Sequence, residues 1–228
     1  MADTYLVTGA SRGLGAEFVR QLRRAGQSVI AAVRDPGSAG DAAKAGATVV
    51  QLDVTRPDTF DAFARSLGAP VDVLINNAGV AARDSALRST TAETMEDVFR
   101  TNLFGLSLLT KALLPVLGRG RRKTIVNVSS SLGSLAITPG GFSYAYCCSK
   151  AALNMATVLM HRELSGDGFG DGFTVISLDP GWNRTDMGGG EAPLDPKDTV
   201  AGMVTVLERL GQRDSGRFIG YDGESRPW

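Results

Sequence analysis

Short unbroken apolar runs recur along this chain with helical patterns between them, and that alternation limits the folds open to it more than any other feature. The runs cover residues 5–8, 28–33, 48–52, 71–76, 124–129 and 173–178, with 217–220 as a short seventh. They do not alternate apolar with polar positions, so each is expected to be a strand covered on both faces. Between them, Phe18, Val19 and Leu22 recur at helical spacing, as do Phe60, Phe63 and Leu67 within residues 57–67. Strands alternating with helices predict βαβ units. The expected fold is α/β, a Rossmann-type doubly wound parallel sheet with helices on both faces. No composition break or long linker divides the chain, so residues 1–228 read as one domain.

Two helical stretches, about 92–117 and 146–164, are apolar nearly all round. Such helices are buried on both sides. The sheet covers one side. A partner subunit, giving a homodimer or homotetramer, or a flanking helix of the same chain covers the other.

Composition removes several chemistries. Lys+Arg and Asp+Glu both number 24, which leaves no electrostatic footprint for nucleic acid. One histidine, His161, and two cysteines cannot build a zinc ribbon or a three-histidine centre. The cysteines are neighbours, Cys147 and Cys148, so no disulfide framework is expected. The most apolar stretch, 103–117, is interrupted by Lys111 and is too short to span a membrane. The first residues lack a basic region followed by an apolar one, so no secretory signal is read and a cytoplasmic protein is expected.

The first run ends in Thr8-Gly9-Ala10-Ser11-Arg12-Gly13-Leu14-Gly15 and a helix opens there. A glycine-rich turn between strand and helix lets the backbone approach a pyrophosphate at the helix's positive end. A turn that merely packs is the alternative. The second run ends at Val33, and Arg34 and Asp35 follow it. An acidic residue at the strand end would hold the ribose 2′-hydroxyl of NAD. Val33 cannot accept, and Arg34 with Arg12 suits a 2′-phosphate, so NADPH is expected rather than NADH. Asp53 and Val54 follow the third run, where the carboxylate could meet an adenine or simply cap a turn. Asn76, Asn77, Ala78 and Gly79 follow the fourth, at the edge where open α/β sheets bind ligands, or as a plain turn.

Tyr146 and Lys150 are i and i+4, on one face of a helix. A tyrosine's ordinary pKa is about 10. A nearby ammonium is expected to lower it and make Tyr146 a general acid. A surface helix pair is the ordinary alternative. Ser129, Ser130 and Ser131 end the fifth run and could bond a substrate oxygen. Asn102 sits in an otherwise apolar helix, which points to a buried role or a local kink. His161 reads as a polar-face residue and the cysteines as small fillers.

Taken in order, TGASRGLG, NNAG, Asn102, the serine run, YCCSK and Asp179-Pro180-Gly181 with Thr185 resemble the classical short-chain dehydrogenase/reductase superfamily along the whole chain. Residues 127–154 and the tail from Pro180 resemble its C-factor/sniffer branch, which holds NADPH-dependent carbonyl reductases and a bacterial C-signal precursor. The resemblance implies that Gly9, Ser11, Arg12, Gly13, Leu14 and Gly15 hold the cofactor's phosphates and adenosine end. It places Asp53 and Val54 at the adenine, and Asn76, Ala78 and Gly79 at the ribose and nicotinamide. It makes Ser130 the catalytic serine and Tyr146 the proton donor. Lys150 binds the nicotinamide ribose, and Asn102 holds a relay water. Pro180, Gly181 and Thr185 meet the nicotinamide amide and phosphates. An extra loop with Pro139, Gly140 and Gly141 is expected beside the substrate pocket, and 183–196 is expected to be a mobile lid. The activity implied is reduction of a small carbonyl substrate with NADPH. An intercellular signal or a dinucleotide sensor is the rival.

Overall fold

The computed structural model describes residues 2–82, 86–138, 143–165 and 172–228. Strands β1 (Thr4–Thr8), β2 (Ser28–Val33), β3 (Thr48–Gln51), β4 (Val73–Asn76), β5 (Thr124–Val128), β6 (Thr174–Asp179) and β7 (Phe218–Gly220) form one sheet in the order β3-β2-β1-β4-β5-β6-β7. Every neighbouring pair is parallel. The chain runs outward from β1 to β3, then returns past β1 to begin β4. The sheet therefore changes winding direction between β1 and β4, and a crevice opens at their carboxyl ends.

The helices are α1 (Gly13–Arg24), α2 (Gly40–Lys44), α3 (Phe60–Ser66), α4 (Ala92–Phe99), α5 (Leu106–Leu117), α6 (Tyr144–Leu164) and α7 (Pro196–Arg209). On one face of the sheet Tyr5, Val7, Val73, Ile75, Val126 and Ile176 pack with Phe18 and Leu22 of α1 and Met203 and Leu207 of α7. On the other, Leu6, Leu74, Ile125 and Val175 pack with Phe60 and Phe63 of α3, Leu109 and Leu113 of α5, and Leu153 of α6. Alternate residues of each strand thus enter two different cores, which is why the strands read as continuous apolar runs.

Three local outcomes differ from the sequence reading. The helix expected over 92–117 is broken. A π-helical turn, Arg100–Gly105, separates α4 from α5. It lets Gly105 press on the Val54 carbonyl, where a Cβ would collide with the oxygen, and it buries Asn102 completely. Such turns concentrate at functional sites. The second apolar helix begins two residues earlier than expected, at Tyr144, because the Ser143 hydroxyl caps it by accepting from the Tyr146 N–H at 3.4 Å. Helix α7 was not anticipated, although Asp195 followed by Pro196 is a start signal: the Asp195 carboxylate accepts from Lys197 N at 2.9 Å.

No helix among the described residues is long and apolar enough to cross a membrane. The same chain does not cover all of the apolar helix surface. Phe104, Leu108, Met155 and Leu159 stay exposed, at 44 to 60% of their full surface.

Candidate active site

The glycine loop and the Asn76–Gly79 turn are stitched together at the switch point. The Thr8 hydroxyl accepts from the N–H groups of Asn77 and Ala78, both at 3.0 Å. The Asn77 amide donates back to Thr8 O at 2.9 Å and Gly9 O at 3.3 Å. This closeness demands glycine. Gly9 has φ +64°, and a Cβ there would stand 2.8 Å from Ala78 Cα. A Cβ on Gly15 would collide with the Gly9 carbonyl. Helix α1 opens at Gly13 with no side-chain cap and no acidic residue in its first turn. Its leading N–H groups and dipole end therefore suit an anion, and the loop fits a dinucleotide's phosphates. Ser11 and Leu14 are half-buried in this loop, and Thr185 stands over it, its Cγ2 3.6 Å from where a Gly13 Cβ would be.

At the end of β2, Arg34 is exposed. Asp35 is committed to its own turn, accepting from Gly37 N at 2.9 Å. Arg12, also exposed, pairs with Asp186 at 3.0 Å. Asp53 likewise caps a local turn, accepting from both the N–H and the hydroxyl of Thr55 at 2.9 and 2.7 Å. Val54 beside it is buried.

Asn76 closes β4 at the head of the turn that carries Ala78 and Gly79. It has no exposed surface, and its amide donates to Thr110 Oγ1 and Asn127 Oδ1 beneath the sheet edge, both at 2.9 Å. As the last residue of β4 it takes its direction from the strand's alternation, which turns it inward. Asn77, named with this turn but given no role by the resemblance, supplies the bonds to the glycine loop.

Tyr146, Lys150, Ser130 and Asn102 come together from three elements. Tyr146 lies in the first turn of α6 and its phenol is hydrogen-bonded to Ser130. Of the three serines, only Ser130 is so placed. Ser129 is buried against Asn154 Oδ1 at 2.6 Å, and Ser131 offers its backbone N–H to Asp179. The Lys150 ammonium lies 5.6 Å from the Tyr146 ring centroid and donates to Val128 O at 2.8 Å. Asn102 accepts from Val80 N at 2.8 Å and donates to Val80 O and the Ser149 hydroxyl at 2.9 and 3.0 Å. Its Oδ1 and the Lys150 Nζ converge on Gly79, at 3.4 and 3.7 Å from where a Cβ would stand.

The electrostatics run opposite to the expectation for tyrosine. Burial pushes the Tyr146 phenol up to about 12, and the Asp179 carboxylate adds to that, while the Ser130 hydrogen bond works against it. Burial also pulls the Lys150 ammonium down to about 8. Both groups are removed from water, and desolvation disfavours each charged form. The protein's own side chains therefore keep Tyr146 neutral.

Pro180 and Gly181 follow β6. The Asp179 carboxylate braces them, accepting from Gly181 N at 3.2 Å. In residues 183–196 the loop is held by Arg184, which donates to Pro193 O at 2.9 Å and pairs with Asp195 at 3.2 Å. Pro139, Gly140 and Gly141, expected beside the substrate, lie outside the described residues. His161 sits far along α6, its Nδ1 bonded to Ser165 and Ser215 at 2.7 and 2.9 Å.

The model of the short chain dehydrogenase family matches residues 3–193. The C-signal of Myxococcus xanthus is 45% identical over 159 residues, covering 70% of this chain and 93% of that protein. The carbonyl reductase Sniffer of D. melanogaster superposes with a TM-score of 0.92 at 30% identity, over 100% of both chains. An NADPH-bound carbonyl reductase from chicken fatty liver superposes with a TM-score of 0.89 at 33% identity, over 100% of this chain and 99% of that one. The crevice at the switch point, the glycine loop and these likenesses lead to one statement: the chain belongs to the short-chain dehydrogenase/reductase family, in its carbonyl reductase and C-factor branch.

Proposed function

We propose that this protein reduces a carbonyl, an aldehyde, ketone or quinone, to an alcohol with NADPH, and that Tyr146 is its general acid. The observation that carries the reading is the hydrogen-bonded Ser130–Tyr146 pair with Lys150 and Asn102 behind it, at the carboxyl edge that also holds the glycine loop. When bound, the cofactor supplies the hydride and, once oxidised, a positive charge near the phenol. Ser130 orients the carbonyl oxygen. Tyr146, neutral at physiological pH, donates its proton to that oxygen. Lys150 and Asn102, converging beside Gly79, hold the ribose side and the path by which the proton is replaced. The segments leaving the site carry exposed Leu135, Ile137, Tyr144, Trp182 and Met187, which favour an apolar carbonyl over a charged one.

NADPH is preferred over NADH because Arg34 is an exposed cation at the end of β2, Asp35 is held by its own turn, and Arg12 of the glycine loop, also exposed, can exchange its Asp186 partner for a 2′-phosphate. Arg34→Ala is expected to weaken NADPH about tenfold, as loss of one exposed charge-assisted bond does, and to leave NADH within about twofold. Fluorescence titration of both cofactors checks this, and equal loss for both would refute the 2′-phosphate assignment.

The 45% identity to a C-signal favours a second reading, a signal or cofactor sensor in which binding matters more than turnover. NADPH consumption against a panel of aldehydes, ketones and quinones separates the two. Tight binding with no turnover on any of them would favour the second. For assembly, the exposed Phe104, Leu108, Met155 and Leu159 are proposed to pair copies of the chain. Light scattering should give a mass of at least two chains, and Met155→Glu should lower it to one.

A further inference from the structure

Residues 224–228 fold back over the end of β7 and reach the site from a direction the sequence does not announce. Trp228 stacks on Phe218 with ring centroids 5.5 Å apart. Ala136 N, in the loop that follows Ser130, donates to Trp228 O at 3.2 Å. Arg226 N donates to Phe218 O at 2.8 Å, and the guanidinium passes over Gly220, where any Cβ would collide with it. It ends between two carboxylates, 2.7 Å from Asp222 and 3.4 Å from Asp179.

Asp179 is the link to the chemistry. Its side chain is only 5% exposed. One oxygen accepts from Ser131 N at 2.9 Å and Gly181 N at 3.2 Å, tying the residue after Ser130 to the turn after Pro180. The other oxygen faces Arg226. We propose that Asp179 and Arg226 are a positioning pair for the reaction: the carboxylate sets the Ser130 loop against the Gly181 turn, and the guanidinium balances its charge so that Tyr146 can gain and lose a proton. This rests on the reductase reading of Tyr146.

The groups that act on the phenol are Ser130, from the end of β5, by a hydrogen bond, and the Asp179 carboxylate of β6 and the Cys147 thiol of α6 through their charge, while the Lys150 ammonium of α6 lies 5.6 Å from the ring centroid. Asp179 is the fixed negative charge among them, and Arg226 is its counter-ion. An unpaired carboxylate there would resist phenolate formation.

The test compares Arg226→Gln, Arg226→Lys and Asp179→Asn. Two readouts are followed: the limb on which NADP⁺-linked alcohol oxidation rises with pH as Tyr146 becomes the phenolate base, and the phenolate absorbance that Tyr146→Phe removes. Arg226→Gln should move both upward by about half a pH unit or more, and Asp179→Asn should move both downward, as expected for a nearby charge unmasked or removed. Arg226→Lys should restore the parent profile. A role in stability alone would lower Tm in both directions of charge without opposite shifts. Unmoved profiles in Arg226→Gln and Asp179→Asn would therefore overturn the proposal. If Arg226→Gln does not fold, an unmoved profile in Asp179→Asn overturns it alone. If no alcohol or carbonyl turns over, the reductase reading fails by itself, and the phenolate titration still decides whether the pair acts on Tyr146.

Discussion

Tyr146→Phe is expected to lower kcat for carbonyl reduction by about 10²–10⁴-fold, the usual contribution of a positioned general acid. That is about 3–5 kcal/mol of transition-state stabilisation. The phenol reaches the site from the first turn of α6 and is hydrogen-bonded to Ser130. Phenylalanine keeps the ring and its packing but has no proton to donate. Ser130 retains the Leu132 N–H at 3.2 Å, so the lost hydroxyl should change stability by no more than about 1 kcal/mol. NADPH affinity should be unchanged within about twofold, since the phenol makes no part of the phosphate cradle. Stopped-flow reduction rates and cofactor titration on the same variant check both halves. A kcat within a factor of ten of the parent would remove Tyr146 from the mechanism.

Lys150→Met should part function from stability. The ammonium is buried and pulled down to about 8, well below a free lysine. Folding therefore carries an uncompensated cost for keeping it charged. Its sign follows from linkage. Below pH 8 both folded and unfolded chains hold the proton and the cost is complete. Between about pH 8 and the unfolded value near 10.5 the unfolded chain binds more protons, so stability rises with pH there and the cost disappears. Methionine fills similar volume without charge. It leaves Val128 O without the 2.8 Å donor, which offsets part of the gain. The net expectation at pH 7 is a stabilisation of about 2 kcal/mol, shrinking toward zero or below by about pH 10. Turnover should fall at least about a hundredfold, because the group beside Tyr146 and Asn102 is gone. Urea unfolding at several pH values, with kcat measured in parallel, tests it. Lower stability at neutral pH would show that the charge is compensated within the fold.

The elements that sequence made legible are those whose signals are local. The βαβ alternation, the glycine loop and the i, i+4 pairing of Tyr146 with Lys150 each depend on spacing within a few turns of chain. Where the reading was incomplete, the deciding partner lay far away. The break at Arg100–Gly105 follows from Val54 and from the bonds of Asn102 to Val80 and Ser149. Asn76 turns inward because Thr110 and Asn127 wait beneath it. Arg226 reaches Asp179 across 47 positions of sequence.

The proton chemistry shows the same division. That a tyrosine and a lysine share one helix face is a property of helical periodicity and needs no other part of the chain. Whether the tyrosine is a phenol or a phenolate is not. Periodicity sets which residues meet, whereas the free energy of a charge depends on how much water the rest of the fold removes from it. Here the packing of α6 against β5 and β6 excludes water from both groups, and Asp179 adds a fixed negative charge. That is why Tyr146 is raised where the local pairing alone predicted a lowering.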